Sequence, residues 1–328
     1  MNLTAFNFKT LMPDLIMDAL QGVGLAVDSG LTALNSYENR VYQFLDEDRK
    51  RYVVKFYRPE RWSIEQIQEE HELSLELAAA EIPVVPPLRI NGTTLHFHQG
   101  FHFAVFPSVG GRQFEQDNDE QLEWVGRFMG RIHRHNGARS FVARPTIGVD
   151  EYLDQSRIEL EQSQLVDGKQ KALFLATVDL LIADVKALWT TDWHNIRLHG
   201  DLHAGNILWR DGPMFVDLDD ARNGPAVQDL WMLLNGDRSD QLYQLSLLLD
   251  AYNEFMDFDP RELALIEPLR AMRMVYYLAW VSRRWGDPAF PHAFPWMKET
   301  DFWSQQHHIF NEQRKLLQQP PLQLMPIY

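Results

Sequence analysis

The stretch Leu198-His199-Gly200-Asp201-Leu202-His203-Ala204-Gly205-Asn206-Ile207-Leu208 decides how this chain is read. It leaves a helical region and enters a strand, and its two glycines let the backbone bend sharply. An aspartate and an asparagine five positions apart converge on one such loop. There Asp201 can accept a hydroxyl proton while the amide oxygen of Asn206 ligates magnesium. Eleven residues beyond Asn206 comes Asp217, in Phe215-Val216-Asp217-Leu218-Asp219-Asp220. A carboxylate leaving a buried strand at a turn suits a metal that bridges phosphates.

Upstream, three β-branched and aromatic runs, VDSGLTALN (27–35), RVYQFLD (40–46) and RYVVKFYRP (51–59), are separated by polar turns and predict antiparallel hairpins. Lys55 is a lone cation inside the third run. A buried ammonium is costly unless paired, so it should meet a carboxylate and a phosphate. Glu69, Glu70 and Glu72 offer that partner on the helix that follows. Ser63 is placed as its N-cap, with Gln66 completing a capping box. Ile64, Ile67, Leu73 and Leu77 are placed on its apolar face. Two more strands are expected around Leu95 to His98 and Phe101 to Phe106. Pro107 to Arg112 then punctuates the chain.

Beyond that point helical spacing dominates: Leu122, Val125, Phe128, Met129 and Ile132, then Leu173, Val178, Leu181 and Val185, then Leu269, Met272, Tyr276 and Ala279. One strand pair interrupts it, Ile207 to Trp209 and Met214 to Asp217 around an Asp211-Gly212 turn. Residues 318–328 read as an extended tail. The expected fold is α+β and two-lobed, a β-rich lobe with one key helix (1–106), a hinge (107–112) and a larger, mainly helical lobe (113–328). Ligands favour the cleft between such lobes.

The order Lys55, Glu70, HGDLHAGN, FVDLDD and AVQDLW resembles the aminoglycoside phosphotransferase and choline kinase superfamily. Over essentially the whole chain the likeness is to serine/threonine protein kinases of that superfamily, which share the Asp-x4-Asn spacing of protein-kinase catalytic loops. The resemblance implies ATP as co-substrate and Mg2+ as cofactor. It implies Asp201 as catalytic base, Asp217 as a catalytic metal ligand and Asn206 as the second ligand. It places Lys55 on the ATP phosphates, paired with Glu70, Phe106 at the adenine hinge, and Ser36 in the phosphate-covering loop Asn35 to Asn39. Asp229 would brace the catalytic loop. That loop carries Gly200 where ordinary protein kinases carry arginine, which argues against activation through an arginine-bound phosphorylated loop. An autophosphorylating kinase acting on Ser or Thr of proteins, with a role in stress responses, follows from resemblance alone.

Other readings stand beside these. His199 and His203 have the spacing of zinc ligands on a helix, although holding the loop backbone is the preferred role. Asp219 is left open between a metal role and a solvated or bracing acid. His133 and His135, two apart, point to different faces and are read as packed or surface residues. Trp280 and Trp285, with Arg283 and Arg284, are assigned to core and cation–π packing rather than to an acceptor site. The segment Val142 to Leu165 shows no clear apolar lid. A small-molecule kinase acting on an amino alcohol, amino acid or sugar is the rival enzyme, and an ATP-binding pseudokinase the non-enzymatic rival.

Composition narrows the partners. A formal net charge of −15 disfavours nucleic acid and anionic membranes. The chain has no cysteine, which excludes disulfides and thiolate chemistry. Neither a signal peptide nor a membrane span is read in it, so a cytoplasmic monomer is expected.

Overall fold

The computed structural model describes residues 8–165, 168–299 and 301–323. The first lobe comprises α1 (Pro13–Gly22), β1 (Thr32–Ala33), β2 (Arg40–Leu45), β3 (Arg51–Phe56), α2 (Ile64–Ala79), β4 (His96–His98) and β5 (Phe101–Pro107). Its five strands pair antiparallel in the order β1-β2-β3-β5-β4. Alternation on β3 divides the work. Val54 and Phe56 pack with Phe44, Phe103 and Val105 on one face, which leaves Val53 and Lys55 on the other, toward the cleft.

α1 goes beyond the single helix expected of this lobe. It begins on Pro13, whose missing N–H costs nothing at a first helical position. Ile16, Ala19 and Leu20 then bury against the sheet. α2 carries the expected capping box, with Ser63 Oγ accepting from Gln66 N at 3.3 Å and Gln66 Oε1 accepting from Ser63 N at 2.8 Å. Ile67, Leu73 and Leu77 are buried as expected; Ile64 is exposed, because a first-turn residue sits at the solvent end of the helix.

The second lobe comprises β6 (Arg112–Gln113), α3 (Asp119–Asn136), a π-helical turn over Asp150–Gln155, α4 (Ser156–Gln162), α5 (Gly168–Leu188), β7 (Ile196–Leu198), β8 (Ile207–Trp209), β9 (Pro213–Phe215), β10 (Arg222–Gly224), α6 (Arg238–Tyr252), α7 (Ile266–Arg283), α8 (Ala289–Ala293) and α9 (Phe302–Leu317). α3 packs on α6 so closely that a Cβ at Gly126 or Gly130 would collide with the carbonyls of Leu248 or Tyr252. The hairpin β8–β9 is the expected one. β6 joins it, and β7 pairs with β10. β6, β7 and β10, of two and three residues, are too short to show a period, and the sequence reading omits them; of the expected run 27–35 only Thr32–Ala33 is a strand. Leu173 is exposed rather than core, while Val178, Leu181 and Val185 of α5 are buried.

Past α9 the tail runs extended from Pro320, with Leu322 buried and the Pro320 and Pro321 carbonyls accepting from Arg238. The start of the N-terminal reading (1–7) and the end of the tail reading (324–328) lie outside the described residues. No helix among the described residues is long and apolar enough to cross a membrane.

Candidate active site

The catalytic stretch is held from beneath. Gly200 adopts φ +86, and a Cβ there would strike the Asp220 carbonyl, so glycine is required. The buried Asp229 carboxylate accepts from His199 N at 2.7 Å and Gly200 N at 2.8 Å. His133 Nε2 lies 3.2 Å from the same carboxylate, and its Nδ1 lies 3.0 Å from the Tyr252 hydroxyl. Asp229 thus fixes the backbone just before Asp201, and His133 is a fully buried part of that brace.

Neither histidine of the suggested zinc pair lies on a helix. His199 Nε2 donates to the Val216 carbonyl at 2.9 Å, and His203 Nδ1 accepts from Gly205 N at 3.0 Å. Both hold loop backbone. Asn206 spends its amide N–H on the Asp201 carbonyl at 2.9 Å, which leaves its side-chain oxygen for a cation.

Behind the cleft, Lys55 Nζ reaches Glu70 Oε1 at 3.3 Å, Asp217 Oδ1 at 3.4 Å and Asp219 Oδ1 at 2.8 Å. Burial opposes the charge, but Asp219, Glu70 and Asp217 more than offset it and hold Lys55 well above the usual lysine range. Glu70 is the partner chosen from the three candidates. Glu69 instead accepts from the backbone N–H groups of Val142, Ala143 and Arg144. The other Glu70 oxygen takes Arg144 at 3.1 Å, and Arg144 also donates to the carbonyls of Gln66, Asp219 and Ala221. Arg144 therefore ties α2 to the loop after β9.

Asp219 is not the solvated acid that was one of its readings. It is buried, and Lys55 and Arg61 overcome burial to hold its carboxyl well below the usual range. Asp217 differs: its side chain is 55% exposed and its backbone sits in the left-handed region at φ 63. Such a conformation is strained for aspartate, and its effect here is to turn the carboxylate outward at the end of β9.

Two cavities meet at this point. One, of about 380 Å3, has Val41, Val53, Phe106 and Leu208 as apolar walls and Lys55, Asn206 and Asp217 at its polar end. It has the chemistry of a nucleotide slot. The second, of about 450 Å3, lies in front of Asp201 and is walled by Tyr152, Tyr276, Tyr277, Trp280 and Phe294. Ser36, Asn206 and Asp217 line both. All the residues singled out from the sequence as site residues thus converge on one interlobe cleft.

Trp280 packs against the core as expected, and Lys298 sits over the Trp285 ring, but Trp280 also lines the cleft. Its indole N–H donates to Glu38 Oε2 at 2.6 Å, and the ring faces the cavity of Asp201. α7 turns this face inward because Leu278, Ala279 and Val281 occupy the core side. Arg284 and Arg58 also bind Glu38, in the loop that carries Ser36, while Asp287 pairs with Arg40 and Arg58. Arg273 pairs directly with Asp201. Burial would raise the Asp201 pKa, but Arg273 and His203 overcome it and keep the carboxyl below its usual value. Arg61, Arg144 and Arg273 escaped the sequence reading, since every carboxylate they hydrogen-bond lies at least 72 residues away.

The donors at the cleft mouth, one asparagine oxygen and one under-partnered carboxylate, are hard oxygen ligands of the kind a magnesium ion shares with nucleotide phosphates. No group of three or more histidines, acids or cysteines suited to a metal occurs among the described residues. The donor set fits a cation that completes its shell with phosphate and water.

The chain is 62% identical, over all of both chains, to stress response kinase A of Escherichia coli (strain K12). It is 61% identical, again over all of both, to the serine/threonine protein kinase RdoA of Salmonella typhimurium. Amicoumacin kinase hAmiN, solved with AMP-PNP, Ca2+ and Ami, superposes with a TM-score of 0.70 at 19% identity, covering 94% of this chain and 95% of its own. The model of the phosphotransferase enzyme family matches residues 30–266, a span that holds Lys55, Glu70, Asp201, Asn206 and Asp217, and the chain belongs to that family.

Proposed function

We propose that this chain is an ATP- and Mg2+-dependent serine/threonine protein kinase that also phosphorylates itself and acts in stress responses. The reading rests above all on one observation: Lys55, Asp217, Asn206 and Asp201 line up where the apolar slot opens into the aromatic cavity. The names of its full-length relatives support the acceptor class. Residues 1–106 would carry the nucleotide, 107–112 the hinge, and 113–328 the catalytic loop and acceptor site. The chain would work as a cytoplasmic monomer.

ATP seats its adenine beside Phe106 and its phosphates toward Lys55, with Ser36 above them. Asn206 and Asp217 would hold Mg2+, which when bound neutralises phosphate charge. The acceptor hydroxyl approaches Asp201 through the aromatic cavity. The acceptor oxygen forms its bond to the γ-phosphorus as the bond to the β–γ bridging oxygen breaks; the hydroxyl proton passes to the Asp201 carboxylate and ADP leaves. Arg273 keeps Asp201 ionised between turnovers, and Glu70 and Asp219 hold Lys55 in register. Positioning dominates, as phosphoryl transfer requires.

The aromatic walls favour a second reading, a compact small-molecule acceptor. Purified protein with labelled ATP, a generic basic protein, and amino-alcohol and sugar acceptors separates the two. Phosphoserine or phosphothreonine dependent on Mg2+ and Asp201 is expected. Efficient labelling of a small acceptor with none on protein would replace the first reading by the second.

A further inference from the structure

Away from the cleft, a cavity of about 530 Å3 opens between the end of α2, the end of α3 and β7, sharing no lining residue with the two cavities above. Its wall carries Arg131, Arg134, His135, Arg139 and Arg197, against the single carboxylate of Glu76. On a chain of net charge −15 this concentration of arginine is anomalous.

Glu76 does not neutralise it. That one carboxylate is shared by Arg139, by Arg197 at 3.0 Å and by His135 at 3.7 Å. Arg131 reaches no carboxylate among the described residues, but the carbonyls of Ala80 and Glu81, at 3.4 and 3.5 Å, and the Phe128 ring. Arg134 is exposed and has no carboxylate partner among the described residues. Arg197 is the telling member. It is 3% exposed, and its Nε–H has no hydrogen-bond partner among the described residues. Burial, with the charge of Arg139 beside it, draws its pKa down to about 10, although Glu69 and Glu72 pull the other way. A buried guanidinium with a spare N–H and like charges for neighbours is under-compensated by protein alone.

We propose that this cavity is a binding site for a small phosphate-bearing anion, separate from the nucleotide site. Several guanidinium forks around one concavity suit the tetrahedral, multiply charged phosphate better than a single carboxylate. The volume is that of an ordinary small-ligand pocket, and Ile82 and Phe255 supply an apolar floor for what the phosphate carries. Glu76 lies on α2, the helix of Glu70, so the ligand would rest against the element that positions Lys55.

The test is calorimetric titration of inorganic pyrophosphate into the full chain, with the cleft first saturated with Mg·ADP. One saturable site is expected in the wild type. Arg134→Ala/Arg139→Ala should weaken it by at least about tenfold, since both charge-assisted contacts go, with melting temperature and kinase activity kept. Should the double variant fold poorly, the exposed, unpaired Arg134→Glu gives the same readout. Absence of a saturable site with the cleft filled, or undiminished affinity in a folded variant, overturns the proposal.

Discussion

The charges behind the cleft and the oxygens at its mouth are held in opposite ways. Lys55, Glu70, Arg144 and Asp219 are all buried, and each is matched by opposite charge. At the mouth, Asp217 is half exposed with one lysine 3.4 Å away, and Asn206 keeps an unspent oxygen. The Asp219 carboxylate is already neutralised by Lys55 and Arg61, whereas Asp217 is left short of partners. The buried charges are saturated inside the protein; Asp217 and Asn206 at the mouth are left short of partners. The two aspartates are two residues apart, and the left-handed turn at Asp217 separates their roles.

The largest effect should come from the mouth. Asp201→Asn keeps the shape and an oxygen for Arg273, but cannot take the hydroxyl proton. Turnover should fall by about 10²–10⁴-fold, the usual worth of a general base. Nucleotide affinity and melting temperature should hardly move. Steady-state turnover with ADP titration measures both, and wild-type turnover would remove Asp201 from the chemistry.

Next, the two neighbouring aspartates can be set against each other. Asp217→Ala should abolish Mg2+-dependent ATP binding with little loss of stability, because it removes an exposed group. Asp219→Ala should instead destabilise the fold by about 3–5 kcal/mol, since it strands buried Lys55 and Arg61 charges. Calorimetry with Mg·ATP and urea unfolding on both variants decide it. Equal stability losses would mean that the buried cluster does not brace the lobes.

Glu262 offers a third kind of carboxylate, buried with a backbone N–H but no ion-pair partner among the described residues. It accepts from Val227 N at 2.9 Å, and burial raises its pKa from 4.5 to about 7. Between those values the folded state keeps a proton that the unfolded chain has lost. Its contribution to stability is therefore full below about pH 4.5 and fades as pH rises through 7, by on the order of 3 kcal/mol. Glu262→Gln, which keeps an acceptor for Val227, should gain on the wild type from about pH 5 and level off above about pH 7 in urea unfolding. A pH-independent difference would show that burial does not govern this group.

Much of the site was legible because its chemistry is local. HGDLHAGN places Asp201 and Asn206 within one loop, and Lys55 declares itself as a cation in an apolar strand. What stayed hidden depends on distant partners. Nothing near Arg144 signals that it will bind Glu70, 74 residues away, and nothing near Trp280 shows that a ring packed against the core also lines the cleft. The fold followed the same division. Long periodic helices and the six-residue strands were readable; β6, β7 and β10 exist through pairings that no local period encodes.

The smallest effect tests whether Glu70 is placed by its helix or by its ion pairs. Ser63 caps α2 at an exposed end, two turns before Glu70. Replacing it with alanine removes the acceptor for Gln66 N, and loss of such a cap costs about 1 kcal/mol. Gln66 would still donate to the Ala143 carbonyl at 2.9 Å, and Arg144 would still hold the Gln66 carbonyl and Glu70. If the charges set the position of Glu70, Ser63→Ala should lower unfolding free energy by that amount and leave kcat and the KM for ATP within twofold, by about the error of such assays. If the helix start sets it, fraying would let Glu70 drift from Lys55, and the KM for ATP would climb along with the loss of stability. Chemical denaturation and ATP saturation curves on the one variant give both numbers. A rise in KM well beyond twofold would show that the buried lattice follows the helix rather than holding it.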